Sequence, residues 1–143
     1  MKQAVILAAG RGARLNGSMK GRPKCLAKIG NHTLIEYQLM LLRKAGIERV
    51  CVVVGYGAEQ VRSVLGNTCE YIVNQRYAET NSLYSLWLAR DWVSEPFVLM
   101  NCDVLAHPEL LEQITEFDGN ARAYDSSSGG DDEHMKVSFK GNR

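Results

Sequence analysis

Two short runs of almost pure aliphatic residues, each closed by a glycine, constrain this chain more than any other feature. They are AVILAA over residues 4–9, before Gly10, and VCVVV over residues 50–54, before Gly55. An unbroken β-branched run of this length marks a strand buried on both faces, because a half-exposed strand would alternate with polar residues. A strand covered on both sides needs a layer on each, so the segments between the runs must supply helices. Weaker runs at residues 70–73 (EYIV) and 96–100 (PFVLM) add a third and a fourth strand.

The intervening segments have helical character. Thr33 stands three residues before Glu36, the spacing of a capping box, and Leu34, Ile35, Leu39, Leu42 and Ala45 form an apolar face that stops at Gly46. A second helix is predicted over residues 58–65. A third runs from Asn81 through Leu83, Leu86, Trp87 and Ala89, with Trp87 in the core, and a fourth follows Pro108 through Leu110, Leu111 and Ile114. Strands alternating with helices of this length predict an α/β fold, Rossmann-like and doubly wound, with a mixed, mainly parallel sheet. The 143 residues, 45% hydrophobic, suffice for the core of one domain spanning 1–143. A formal charge of +1 gives no bulk electrostatic case for binding nucleic acid or a membrane surface. The N-terminal apolar run breaks after about seven residues, too few to span a bilayer. Cys25, Cys51, Cys69 and Cys102 stand singly and read as buried thiols of a cytoplasmic protein.

Residues 10–24 (GRGARLNGSMKGRPK) break the pattern with four glycines, five basic residues and no acidic one. Glycine amides after a buried strand let an anion approach the backbone closely, and arginines beside them add charge, so this loop is suited to phosphates. A dinucleotide fingerprint would need glycine where Leu15 stands, which disfavours an oxidoreductase. A Walker A loop would need Gly-Lys-Ser/Thr, but Gly21 is followed by Arg22 and Pro23. Lys20 reads as a solvated surface charge. Further along, residues 96–103 (PFVLMNCD) deliver Asp103 to the C-terminal end of a strand, the edge where open α/β sheets bind ligands. A carboxylate there suits Mg²⁺, or alternatively caps the turn ahead of His107 and Pro108. The three histidines form no cluster. Residues 126–133 (SSSGGDDE) read as a polar surface loop, and residues 135–139 (MKVSF) as the start of another strand before a Gly141-Asn142 turn, so the domain is expected to lack its C-terminal part.

LAAGRGARL at residues 7–15, followed by PKCL at 23–26, resembles the nucleotidyltransferase superfamily that joins an NTP to a phosphorylated small molecule, the sugar-1-phosphate nucleotidyltransferases and their relatives. Residues 74–86 (NQRYAETNSLYSL) and 124–137 (YDSSSGGDDEHMKV) are similar to its phosphocholine and aminoethylphosphonate cytidylyltransferase branch. The resemblance implies the nucleotide-diphospho-sugar transferase type of fold. It implies that Leu7, Ala8, Ala9, Gly10 and Gly12 hold base and phosphates, that Arg14 clamps the leaving pyrophosphate, and that Lys24 neutralises the reacting phosphates. Asp103 would bind Mg²⁺, the implied cofactor. Asn74 would face the pyrimidine edge, and Asn81 and Ser85 would contact nucleotide or substrate, with helix capping by Asn81 the open alternative. Tyr77, Tyr84 and Tyr124 are available to a trimethylammonium group, and Lys136 to the substrate phosphate. The implied partners are an NTP, CTP favoured, and a small phosphorylated or phosphonate acceptor such as phosphocholine or 2-aminoethylphosphonate, with no nucleic acid and no membrane; a homo-oligomer stays open. A sugar-1-phosphate acceptor, or a nucleotide-binding regulatory module without turnover, are the alternatives.

Overall fold

The computed structural model describes residues 1–11 and 21–123. In chain order these form β1 (Gln3–Ala8), β2 (Lys28–Ile29), β3 (His32–Thr33), α1 (Leu34–Lys44), β4 (Arg49–Val54), α2 (Ala58–Leu65), β5 (Glu70–Val73), α3 (Ser82–Leu88), β6 (Phe97–Asn101) and α4 (Pro108–Glu116). Four strands make one sheet in the order β5-β4-β1-β6, every neighbouring pair parallel, with Gln3 of β1 opposite Arg49 of β4 and Phe97 of β6. The sheet was expected to be mixed. Among the described residues the antiparallel pairing is confined to the separate β2–β3 hairpin.

The alternation along β1 shows why both faces had to be apolar. Ala4, Ile6 and Ala8 point into one core layer with Val50, Val52 and Val54 of β4 and with Ile35, Leu39 and Leu42 of α1, Val61 of α2 and Leu111 of α4. Val5 and Leu7 point into the other layer, with Val53 and Ala89 and the flanking Ile72, Leu86 and Phe97. Helices therefore cover both faces, α1, α2 and α4 on one and α3 on the other, as a doubly wound sheet requires. Each large aliphatic side chain buried in this way contributes about 1.5–3 kcal/mol.

Helix α1 begins as its sequence predicts. Thr33 Oγ1 accepts a hydrogen bond from the Glu36 backbone N–H (3.3 Å) and donates its own hydrogen to Glu36 Oε1 (3.0 Å). The helix ends at Gly46, whose φ of +86° is the left-handed conformation that lets the chain turn back into buried Ile47. Helix α3 departs from expectation. Ser85 is its buried residue, while Trp87 is 50% exposed and stacked on Tyr84 at 5.6 Å, with the Arg90 guanidinium over the Trp87 ring at 3.7 Å. Placing Trp87 in the core is thus corrected: the helix turns its small Ser85 side toward the sheet and leaves its aromatic side outside.

From β1 the chain winds outward through β4 to β5, then crosses back to the opposite side of β1 as β6. The connections diverge between β1 and β6, which opens a crevice at the C-terminal ends of those strands.

Candidate functional site

A cavity of about 320 Å³ occupies that crevice. Leu7, Ala9 and Gly10 line it from the end of β1, Asn101, Cys102 and Asp103 from the end of β6, and Lys24 from across the opening. The third wall is the segment leading from β5 into α3, with Asn74, Tyr77, Thr80, Asn81, Ser82 and Ser85. A Cβ built on Gly10 would meet no atom within 4 Å, so the backbone there stands open to the cavity.

Lys24 and Asp103 lie 79 positions apart in the chain and meet at 3.0 Å, Lys24 Nζ donating to Asp103 Oδ2, with side chains 31% and 43% exposed. Lys24 opens a 3-10 turn, Lys24–Leu26, whose Cys25 and Leu26 are buried anchors. That turn rests against Gly57, which has a φ of +64° and whose missing side chain makes room for the Pro23 ring. Asp103 sits in a tight turn after β6, closed by the Val104 N–H on the Asn101 carbonyl at 3.3 Å and tied to β1 by the Cys102 N–H on the Leu7 carbonyl at 3.0 Å. The capping alternative for Asp103 is not the arrangement found. His107 caps α4 itself, its Nδ1 accepting from the Glu109 N–H at 3.3 Å.

Asn74 is 1% exposed and knits the third wall together. Its Nδ2 donates to Thr80 Oγ1 and Ser85 Oγ, both at 3.0 Å, and its Oδ1 accepts from the Arg76 N–H at 2.9 Å. Both amide hydrogens are thereby engaged inside the protein, which leaves one Oδ1 lone pair and the Ser85 hydroxyl hydrogen as the polar capacity this pair has to spare at the cavity wall. Asn81 caps α3, its Oδ1 accepting from the Leu83 and Tyr84 N–H groups at 3.1 and 3.3 Å, and also lines the cavity, so the capping and lining positions coincide.

Of the residues singled out from the sequence, Leu7, Ala9, Gly10, Lys24, Asn74, Tyr77, Asn81, Ser85 and Asp103 come together in this one cavity. The Ala8 side chain faces the α1 and α2 layer, because the alternation of β1 sends every second side chain away from the cavity edge, so any part Ala8 takes is through its backbone. Gly12, Arg14, Leu15, Lys20, Tyr124, Lys136 and the 126–133 and 135–139 segments lie outside the described residues. Thr80, Ser82, Asn101 and Cys102 join the lining without having been expected at the site. The signal for Thr80 and Ser82 was their place beside Asn81 in a polar stretch between strand and helix.

The four cysteines are free thiols. The Cys25 thiol donates a hydrogen bond to Cys102, which holds Cys102 below the ordinary thiol range and pushes Cys25 above it. Burial pushes Cys51 up to about 12. Cys69 and Cys102 are only half-buried, a departure from four buried thiols.

The donor set also bears on a metal. Asp103 is the one carboxylate among the described lining residues, and no group of three or more His, Cys, Asp or Glu is arranged to hold an ion among the described residues. A protein cage for zinc or calcium is not what these residues make. One carboxylate beside an open phosphate-sized cavity does fit Mg²⁺, which keeps most of its coordination for water and substrate phosphates.

A parallel sheet with a switch-point crevice, an open glycine and a lysine–aspartate pair at its mouth define a doubly wound α/β domain with its ligand edge at the C-terminal ends of the strands. The comparisons with known proteins narrow the class. The family described as the MobA-like NTP transferase domain matches residues 4–137, and the chain belongs to that family. The chain is 34% identical over 117 residues to the CMP-5'-(3-aminopropyl)phosphonate synthase of Streptomyces rubellomurinus, covering 78% of this chain and 19% of that protein. It is 35% identical over 100 residues to the choline-phosphate cytidylyltransferase of Streptococcus pneumoniae, covering 68% of this chain and 43% of the relative. Among solved structures, the inositol-1-phosphate CTP transferase from T. maritima superposes with a TM-score of 0.67 at 31% identity, over 78% of this chain and 47% of that one. The chain thus spans less than half the length of each of these three relatives. No helix among the described residues is long and apolar enough to cross a membrane.

Proposed function

We propose that the protein carrying this domain transfers a nucleotidyl group from an NTP, with CTP favoured, to a small phosphorylated or phosphonate acceptor and releases pyrophosphate. The observation that carries the proposal is the Lys24–Asp103 pair at 3.0 Å on the rim of the switch-point cavity, facing the open backbone of Gly10. The relatives' names support the choice of CTP and of a small phosphorylated or phosphonate acceptor.

In the reaction an ionised oxygen of the acceptor attacks the α-phosphorus, the bond to the bridging oxygen of the β-phosphate breaks, and pyrophosphate departs with that electron pair. The acceptor is already an anion at neutral pH, so the barrier lies in bringing two anions together rather than in removing a proton. The backbone at Leu7, Ala9 and Gly10 binds the nucleotide, and the family resemblance assigns Gly12 to the phosphates and Arg14 to the leaving pyrophosphate. Lys24 offsets the charge shared between the α-phosphate and the incoming acceptor. Asn81 and Ser85 line the nucleotide, while Asn74 sets the positions of Thr80 and Ser85. Asp103 is the side chain that would hold Mg²⁺, which when bound screens the triphosphate charge. The four free thiols support a cytoplasmic location.

The proposal is tested by measuring pyrophosphate release with Mg²⁺ from CTP, UTP, ATP, GTP and dTTP, each against phosphocholine, 2-aminoethylphosphonate and glucose-1-phosphate. Release is expected with CTP and one of the first two acceptors. Release only with glucose-1-phosphate would replace the acceptor class, and CTP binding without release from any pairing, in this chain and in a longer one, would make it a binding module.

A further inference from the structure

Gln38 occupies a position in α1 that its neighbours would assign to an aliphatic residue. It lies between Ile35, Leu39 and Leu42 on the buried face and is 0% exposed. Its Nε2 donates to the Asn101 carbonyl at 2.8 Å and to the Val104 carbonyl. These two carbonyls bracket the turn that carries Asp103. Both are acceptors, so they fix which end of the amide faces them: only the nitrogen can satisfy two oxygens. The opposite atom, Oε1, is buried and has no hydrogen-bond partner among the described residues, an arrangement that a core site does not favour for packing alone.

The same helix holds the other half of the charged pair. The Leu34 N–H at the start of α1 donates to the Ala27 carbonyl at 2.9 Å, immediately after the turn that begins with Lys24. Leu34 and Gln38 are one helical turn apart, on one side of α1. The helix therefore grips the Lys24 turn and the Asp103 turn at two points about 6 Å apart along its axis.

We propose that Gln38 is a positioning residue: by holding the Asn101 and Val104 carbonyls it fixes the turn that presents Asp103 opposite Lys24, and so sets how well the site holds a divalent cation carried by the nucleotide. This rests on the nucleotidyl-transfer reading of the same cavity. Gln38 touches neither substrate nor ion; it acts through the turn. Loss of such an outer partner typically costs about 10 to 100-fold in metal affinity.

The experiment is Gln38→Met, similar in shape and without a donor, in the full chain, with Mn²⁺ as the probe ion. Free Mn²⁺ followed by electron paramagnetic resonance in the presence of CTP should show affinity about tenfold weaker than in the unsubstituted protein. Affinity for CTP measured in EDTA should stay within about twofold, since no contact to the nucleotide changes. In metal-free protein, hydrogen exchange at the Val104 amide should quicken while the amides of Leu39 and Leu42 keep their rates. Mn²⁺ affinity equal in the two proteins overturns the positioning role alone. Quickened Val104 exchange, with neither protein binding Mn²⁺ together with CTP, overturns the nucleotidyl-transfer reading and the role that rests on it. Should Gln38→Met fail to fold, the unsubstituted chain still decides: the side-chain amide of Gln38 must exchange slowly, and Mn²⁺ must broaden its signal only when CTP is present. Rapid exchange of that amide, or broadening that does not depend on CTP, overturns the inference.

Discussion

Lys24 and Asp103 are each unremarkable alone, a half-exposed cation on a short 3-10 turn and an exposed anion on a loop. Their value at the site comes from the turns that hold them 3.0 Å apart at the mouth of the cavity. As a surface ion pair they contribute little stability, so removing either charge should spare the fold. Lys24→Ala is expected to lower turnover on the order of 10² to 10³-fold, as loss of one preorganised charge donor does elsewhere, with the unfolding midpoint nearly unchanged. Near-normal kcat/KM in that variant would remove Lys24 from the phosphate chemistry. Asp103→Asn keeps the size and loses the charge; both activity and its dependence on Mg²⁺ are expected to disappear together in a Mg²⁺ titration of pyrophosphate release. Lys24 and Asp103 were legible in the sequence because each follows a recognisable marker, the PKCL segment and a strand end. Asn74 was legible as important but not in its bonding, since only the fold shows Thr80 and Ser85 taking its two amide hydrogens.

The elements show where local chemistry decides and where packing does. At the start of α1, the hydrogen bond between His32 Nδ1 and Glu36 Oε2 at 3.0 Å and the bonds from Thr33 hold the Glu36 carboxyl below its ordinary value of 4.5. A group whose folded value is lowered adds stability that is present above its unfolded value and is lost as pH falls through the folded one. Chemical denaturation should therefore show Thr33→Ala costing about 1 kcal/mol at neutral pH. The difference between Glu36→Gln and the unsubstituted chain should shrink as pH drops below about 4.5. A difference that grows on acidification would contradict the capping geometry. The boundaries of α1, α2 and β5 were readable because caps, glycines and β-branched runs act within a few residues. The orientation of α3 was not: Leu83, Leu86 and Trp87 announce a helix, but which side meets the sheet depends on the polar network of Asn74 and Ser85, assembled from two segments. Gln38 carried a signal of its own, a lone amide on an apolar helical face, whose partners at Asn101 and Val104 lie 63 and 66 positions away.

At the scale of the molecule, the order β5-β4-β1-β6 turns three separate sequence segments into one site. The end of β1 brings Gly10, the end of β6 brings Asp103, and the β5 to α3 connection brings Asn74 and Ser85. That the runs at residues 4–9 and 50–54 would be strands covered on both faces followed from their unbroken apolar character, whereas their pairing side by side is visible only in the fold. That β6 would return to the far side of β1 did not, because its Leu99 is 45% exposed and its run is weaker than theirs. A nucleoside triphosphate seated in this switch-point cavity must perturb the backbone amide resonances around it as CTP with Mg²⁺ is added to the ¹⁵N-labelled chain. The expected result is a set of shifts confined to Leu7, Gly10, Lys24, Asn74, Ser85, Cys102 and Asp103, absent with NAD. Shifts clustered instead at the N-terminal ends of the strands, or none at millimolar CTP, would contradict it.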